Sequence, residues 1–335
     1  MKPITLLIKP VGGACNLQCG YCFYRGHGGG VIERETLERA LSSYGELPFA
    51  AKSVMLQGGE PLLAPGYVFD AVEAFPAERG IQTNATLLTR AMAERLATGA
   101  WLVGVSLDGP REIHEAARGE SFDAVVAGVR ALEAVGADYN FLTVASRVNV
   151  GRGVEVYRFL RDNFATRFHQ YIECTGPRAE LAIAAEEWGR FLIAVFDEWA
   201  AHDSRDVSVR LFDSIAATVL RGAPLQCSFA RDCRHHVVVE WDGSVYPCDF
   251  HVRREFLLGN VKTQSLREML DSHAYRRFAE AKTANLPQKC RDCEFLDFCN
   301  GDCPRNRLSL CDGWRTFFRH AVERIAIDAL EGNMV

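Results

Sequence analysis

The chain has 335 residues, 48% hydrophobic and 24% charged, with 12 cysteines and a formal net charge of −5. That length gives ample core without disulfide staples, and the mild acidity argues against a protein held by charge to nucleic acid or an anionic membrane. No stretch approaches the ~18 apolar residues of a membrane helix, and the opening run is too short for a signal peptide. The expected home is the cytoplasm, where thiols stay reduced and metal is the default employer of many cysteines.

Residues 1–205 alternate short strands with amphipathic helices. The strands fall at 5–9, 53–57, 80–84, 102–107, 138–144 and 168–173, each rich in aliphatic or aromatic residues and bounded by turn formers. Helices are expected at 33–44, 90–97, 122–134, 154–164 and 187–199. Polar and thiol side chains collect just past every strand: three cysteines after the first, Gln57 to Glu60 after the second, and Thr83 and Asn84 at the third. Ser106 and Asp108 follow the fourth, Arg147 and Asn149 the fifth, Glu173 and Cys174 the sixth. Chemistry spread over all strand ends suits a barrel mouth, whereas a doubly wound sheet concentrates it at one switch point. The expected fold is α/β, a partial (β/α)6 TIM-like barrel. His27-Gly28-Gly29-Gly30 reads as a flexible connection.

Beyond residue 205 the rhythm stops, and 206–335 reads as a second, smaller domain supplemented by metal. Asp242-Gly243 signals a two-residue hairpin between strands 236–241 and 244–247. A helix is expected at 265–283 and another at 313–330.

The cysteines divide into three, one and eight. Cys15, Cys19 and Cys22 share one loop and can hold three irons of a [4Fe–4S] cluster, leaving the fourth iron open to a substrate or cofactor. A zinc site completed by His27 is the plainer alternative. Cys227, Cys233, Cys248, Cys290, Cys293, Cys299, Cys303 and Cys311 number enough for two closed four-thiolate sites, iron–sulfur or zinc by spacing alone. Cys174 stands apart as a small buried hydrophobe.

The Cys15-x3-Cys19-x2-Cys22 loop after the first strand resembles the radical S-adenosylmethionine (SAM) superfamily. The resemblance implies SAM contacts at Gly58, Gly59 and Glu60, at Ser106, Asp108 and Arg118, and near Tyr24. The C-terminal cysteines resemble a SPASM domain with two auxiliary [4Fe–4S] clusters, three clusters in all. One auxiliary set would be Cys227, Cys233, Cys248 and Cys303; the other would be Cys290, Cys293, Cys299 and Cys311.

Within that group the segments 56–63, 81–84, 139–144, 242–250 and 299–305 are most similar to anaerobic sulfatase-maturating enzymes. The likeness implies oxidation of a cysteine or serine in a sulfatase to Cα-formylglycine. A 5′-deoxyadenosyl radical would remove a Cβ hydrogen, a carboxylate would take a proton, and a nearby cluster would take an electron. Asp249 matches the catalytic carboxylate, a kind of group that contributes about 10²–10⁴-fold. Gln57 matches a peptide contact. The implied partners are a peptide or unfolded protein substrate and a reduced flavodoxin- or ferredoxin-type donor, with no nucleic acid and no membrane. A maturase that installs a thioether or carbon–carbon crosslink in a ribosomal peptide is the alternative.

Overall fold

The computed structural model describes residues 4–175 and 180–334. Its first seven strands are β1 (Thr5–Lys9), β2 (Ser53–Leu56), β3 (Glu78–Thr83), β4 (Trp101–Ser106), β5 (Tyr139–Ala145), β6 (Phe168–Glu173) and β7 (Ser208–Val209). They pair parallel, each with its neighbour in chain order. An unbroken order without a switch point is the barrel-type winding expected from the sequence, not the doubly wound one. The interior of β1 is buried as a run, Leu6 to Lys9, as befits a parallel strand covered on both faces.

The crossovers and flanks are α1 (Arg34–Gly45), α2 (Gly66–Ala74), α3 (Arg90–Thr98), α4 (Arg111–Arg118), α5 (Phe122–Glu133), α6 (Gly153–Asn163), α7 (Ala185–His202) and α8 (Arg210–Arg221). In α1 the buried Leu37, Ala40, Leu41 and Tyr44 recur at helical spacing on the sheet-facing side. α2, α4 and α8 were not legible from periodicity. α2 and α4 are short, and α8 directly abuts the two-residue strand β7.

The boundary expected near residue 205 does not divide the sheet. β8 (His236–Glu240) lies parallel on the free edge of β1, with Thr5 opposite His236 and Lys9 opposite Glu240. β9 (Ser244–Tyr246) and β10 (Gly259–Asn260) continue antiparallel, with the expected hairpin at Asp242-Gly243. The helix expected over 265–283 is two, α9 (Leu266–Leu270) and α10 (His273–Ala284). Ser272 accepts a bond from the Tyr275 amide and restarts the helix as an N-cap.

Short helices α11 (Gln288–Arg291) and α12 (Leu296–Cys299) carry cysteines, and α13 (Cys311–Leu330) closes the chain. α13 buries Trp314, Phe317, Phe318, Ala321 and Ile325, and its Trp314 meets Trp188 of α7 edge-on at 5.4 Å. One core therefore spans both halves. Truncating such a buried aromatic to Ala costs about 3–5 kcal/mol.

The glycines after His27 are not a free connection. A Cβ on Gly30 would lie 2.4 Å from the Trp241 indole, so this segment is pressed onto β8's exit. Among the described residues no helix is long and apolar enough to cross a membrane.

Candidate active site

Cys15, Cys19 and Cys22 follow β1 on one loop, and the thiols interact electrostatically with one another. The Cys15 sulfur accepts from the Leu17 amide (3.4 Å) and from Asn84 Nδ2 (3.8 Å). The Cys19 sulfur accepts from the Arg118 guanidinium at 3.9 Å. Burial raises both thiols, and Arg118 opposes the rise at Cys19. His27 stacks flat on the Tyr24 ring, centroids 4.3 Å apart.

The Gly58-Gly59-Glu60 loop is keyed into this cysteine loop. The Gly59 amide donates to Gly12 O (2.7 Å) and the Glu60 amide to Ala14 O (2.9 Å). A Cβ on Gly59 would fall 1.8 Å from Ala14 O, so only glycine allows the approach. The Glu60 carboxylate is fully buried and already committed: it accepts from Leu62 N (3.0 Å), Thr83 Oγ1 (2.7 Å) and Asn84 N (2.8 Å). Burial nevertheless pushes its pKa up to about 7, against those hydrogen bonds.

Asp108, past β4, is likewise occupied inside the protein. It pairs with Arg118 (2.9 Å), accepts from the Tyr21 hydroxyl and from the Val144 amide (3.0 Å), and is 1% exposed. Its direct neighbours are thus protein groups, and its visible action is to hold Arg118 against Cys19. Ser106 is half-buried and accepts from Gln82 Nε2 at 3.1 Å. Gln57 follows β2, its side-chain nitrogen buried without a hydrogen-bond partner among the described residues.

On the other side of the mouth Asp249 forms an ion pair with Lys9, the last residue of β1. Lys9 is wholly buried, and its ammonium sits 3.3 Å from the centroid of the Tyr24 ring. The Tyr24 hydroxyl donates to Glu240, which lies opposite Lys9 in the β1–β8 register. Burial raises Glu240, while Lys9 and Tyr24 oppose the rise. Tyr24 is therefore a buried wall of the Asp249 site. Phe250 packs on Phe23 at 4.6 Å, and the Arg305 guanidinium covers Phe250 at 4.2 Å. These three side chains tie the first cysteine loop, the Asp249 turn and the C-terminal cysteine segment together.

The other eight thiols of the expected set separate into two interleaved quartets. Cys248 interacts with Cys227 and Cys303, Cys303 with Cys227 and Cys233, and Cys233 with Cys227. Cys290, Cys293, Cys299 and Cys311 all line one pocket with Phe295, Leu308, Trp314 and Phe318, about 420 Å³ counting its mouth. The two sets meet where Asn300, Gly301 and Asp302 adopt successive left-handed conformations (φ 47°, 78° and 55°) between Cys299 and Cys303. All 12 cysteines are free. Among the described residues no three His, Cys, Asp or Glu side chains converge on a point suited to one metal ion. A cubane instead places each thiolate on a different iron and takes three or four cysteines, the number in each set. Cys174 belongs to none of them and is buried.

Lys9, Tyr21, Glu240, Lys282, Asp302 and Arg305 had no place among the expected site residues, and Asn84 was expected only as a polar residue of the barrel mouth. For Lys9 a signal existed: a charged residue ending an otherwise apolar barrel strand.

The Radical SAM superfamily model matches residues 10–160, and the SPASM iron–sulfur cluster-binding domain matches 227–294. The serine-type anaerobic sulfatase-maturating enzyme of Bacteroides thetaiotaomicron is 32% identical over 95% of this chain and 89% of its own length. This chain belongs to the radical SAM anaerobic sulfatase-maturating enzymes. The cysteine-type enzyme of Clostridium perfringens is 30% identical over 97% of this maturase and 98% of its own length. The solved structure of native anSMEcpe with bound AdoMet and Cp18Cys peptide superposes with a TM-score of 0.90 at 29% identity, covering 98% of this maturase and 99% of that chain. The maturase is thus a radical SAM enzyme that uses iron–sulfur clusters and SAM to modify a protein or peptide oxidatively.

Proposed function

We propose that this maturase oxidises Cβ of a cysteine or serine in a sulfatase to Cα-formylglycine. The observation that carries the reading is Asp249, held at the barrel mouth by Lys9 and one residue from the thiol of Cys248. Cys15, Cys19 and Cys22 would hold a [4Fe–4S] cluster that, given one electron from a donor, would cleave bound SAM to methionine and a 5′-deoxyadenosyl radical able to take a Cβ hydrogen.

The chain's own groups do the rest of the positioning. The backbone of Gly58, Gly59 and Glu60, with Ser106 and Arg118, forms the SAM wall, and Asp108 serves it by fixing Arg118. Gln57 offers its unpartnered amide nitrogen to the substrate peptide. The Asp249 carboxylate takes the thiol or hydroxyl proton of the substrate residue; Lys9 and the Tyr24 wall hold it in place. The quartets Cys227/Cys233/Cys248/Cys303 and Cys290/Cys293/Cys299/Cys311 hold the auxiliary clusters, within a SPASM-type segment assigned to residues 206–335 behind the barrel segment 1–205.

The finer partners are a reduced flavodoxin- or ferredoxin-type donor and a cytoplasmic, unfolded sulfatase chain. The test is anaerobic incubation with SAM, a reductant and sulfatase peptides carrying Cys or Ser. The expected products are a Ser peptide short of two hydrogens, a Cys peptide whose sulfur and two hydrogens have given way to one oxygen, and a hydrazide-reactive aldehyde in each. A crosslinked peptide without an aldehyde overturns the assignment.

A further inference from the structure

Lys282, in the last turn of α10, is completely buried, an expensive place for an ammonium unless anions face it. Its Nζ donates to Cys227 O (3.1 Å) and Ser228 O (2.6 Å). The thiols of Cys227, Cys233 and Cys303 and the carboxylate of Asp302 are the groups whose negative charge favours the ammonium there. The same turn is stitched to the quartet by Cys233 N donating to Ala279 O (3.1 Å), and Arg307 caps it through Lys282 O.

The second quartet has a different setting. Asp302 lines its pocket, accepting from Trp314 Nε1 (3.1 Å) and Cys303 N (2.6 Å), and it acts electrostatically on Cys290 and Cys299. Lys289 and Arg315 there lie at the surface and share Asp312, and the half-buried Arg307 acts on Cys290 and on Cys233 alike. Solvent and the Asp312 carboxylate screen Lys289 and Arg315. A fully buried cation thus stands at the first quartet alone, while the buried Asp302 adjoins both.

We propose that Lys282 sets the reduction potential of the cluster held by Cys227, Cys233, Cys248 and Cys303 above that of the cluster held by Cys290, Cys293, Cys299 and Cys311. Reduction adds one negative charge to a thiolate-ligated cluster. A fixed cation in a weakly screened interior stabilises the reduced form more than the oxidised form, and a fixed anion does the reverse. The consequence is a higher-potential acceptor at Cys248, the residue next to Asp249, where the substrate's electron leaves.

The inference rests on the cluster assignments in the proposed function, and iron counting separates the two. A reconstituted wild type without iron–sulfur clusters sinks those assignments; filled clusters with unmoved potentials sink only the role of Lys282. The experiment is an anaerobic redox titration of the holoenzyme followed by electron paramagnetic resonance. In the double variant Cys290→Ala/Cys293→Ala the surviving auxiliary couple is expected to be the higher of the wild-type pair. Lys282→Met is expected to lower that couple by a tenfold change in the oxidised-to-reduced ratio or more, about 59 mV for one electron. Lys282→Arg should restore most of the shift, and the N-terminal couple should stay put. A filled Lys282→Met enzyme with unchanged potentials overturns the proposal, as does survival of the lower couple in the double variant. Should Lys282→Met fail to fill its cluster, the double variant decides: survival of the higher couple supports the proposal and survival of the lower one overturns it.

Discussion

Lys9, at the C-terminal end of the first barrel strand, is ion-paired with Asp249, which lies 240 positions later in the chain beside Cys248. The pairing depends on β8 docking against the free edge of β1, since that docking delivers the β9 hairpin and the turn after it to the barrel mouth. The ammonium is sealed from water by Tyr24, so its charge acts on Asp249 with little screening.

Replacing Lys9 by Met should keep the fold and all three clusters but unseat the carboxylate. We expect product formation to fall by about 10²-fold or more, the lower end of what a positioned general base contributes. Cleavage of SAM without product should persist. Parallel quantification of 5′-deoxyadenosine and aldehyde checks this, and tightly coupled turnover at the wild-type rate would remove Lys9 from the site.

Gly59→Ala tests how the cysteine loop is held. Its methyl group would meet Ala14 O at 1.8 Å, so the loop bearing Cys15 must move. The expected result is loss of one cluster, about eight irons retained of about twelve, since each cubane carries four. Full iron content with normal SAM cleavage would show that the two loops are not interlocked.

The Asp108–Arg118 pair is buried on both sides, with side chains 1% and 6% exposed. Removing one partner from such a pair costs about 3–5 kcal/mol. Asp108→Asn should therefore lower the urea midpoint of unfolding markedly, and Asp108→Asn with Arg118→Met should recover part of the loss. Midpoints measured anaerobically at fixed iron loading decide it.

His169 of β6 is buried among Phe141, Tyr157 and Tyr171, with both ring nitrogens lacking hydrogen-bond partners among the described residues. Burial lowers its pKa to about 3 from 6.5. The unfolded chain then binds a proton below pH 6.5 that the fold does not. The stability from keeping this histidine neutral is complete above pH 6.5 and drains away as pH falls toward 3. The slope reaches at most about 1.4 kcal/mol per pH unit. His169→Phe should gain on the wild type as the pH drops from 7 to 5. Parallel curves for the two proteins would contradict the shift.

The local signals in the sequence were the reliable ones. The βα alternation through β6 was legible because each strand is a short apolar run with turn formers at its ends, and the hairpin at Asp242-Gly243 was equally local. The break at Ser272 was missed because the residues on both sides remain helix formers and only the cap divides them. The docking of β8 on β1 is a pairing across most of the chain and left no local trace. The cysteine count was plain, but the interleaving of Cys303 with Cys227, Cys233 and Cys248 depends on a left-handed turn at Asn300 to Asp302 that spacing does not encode. Lys9 carries no local sign of its pairing, since its partner Asp249 comes from the other end of the sequence.

The most direct measurement uses a sulfatase peptide deuterated at Cβ of its target residue, with wild type and Asp249→Asn side by side. Deuterium should appear in 5′-deoxyadenosine with both enzymes, while the aldehyde forms only with the wild type, the variant losing about 10²–10⁴-fold. Full aldehyde yield from Asp249→Asn, or 5′-deoxyadenosine free of deuterium in the wild type, would contradict Cβ oxidation completed by proton transfer to Asp249.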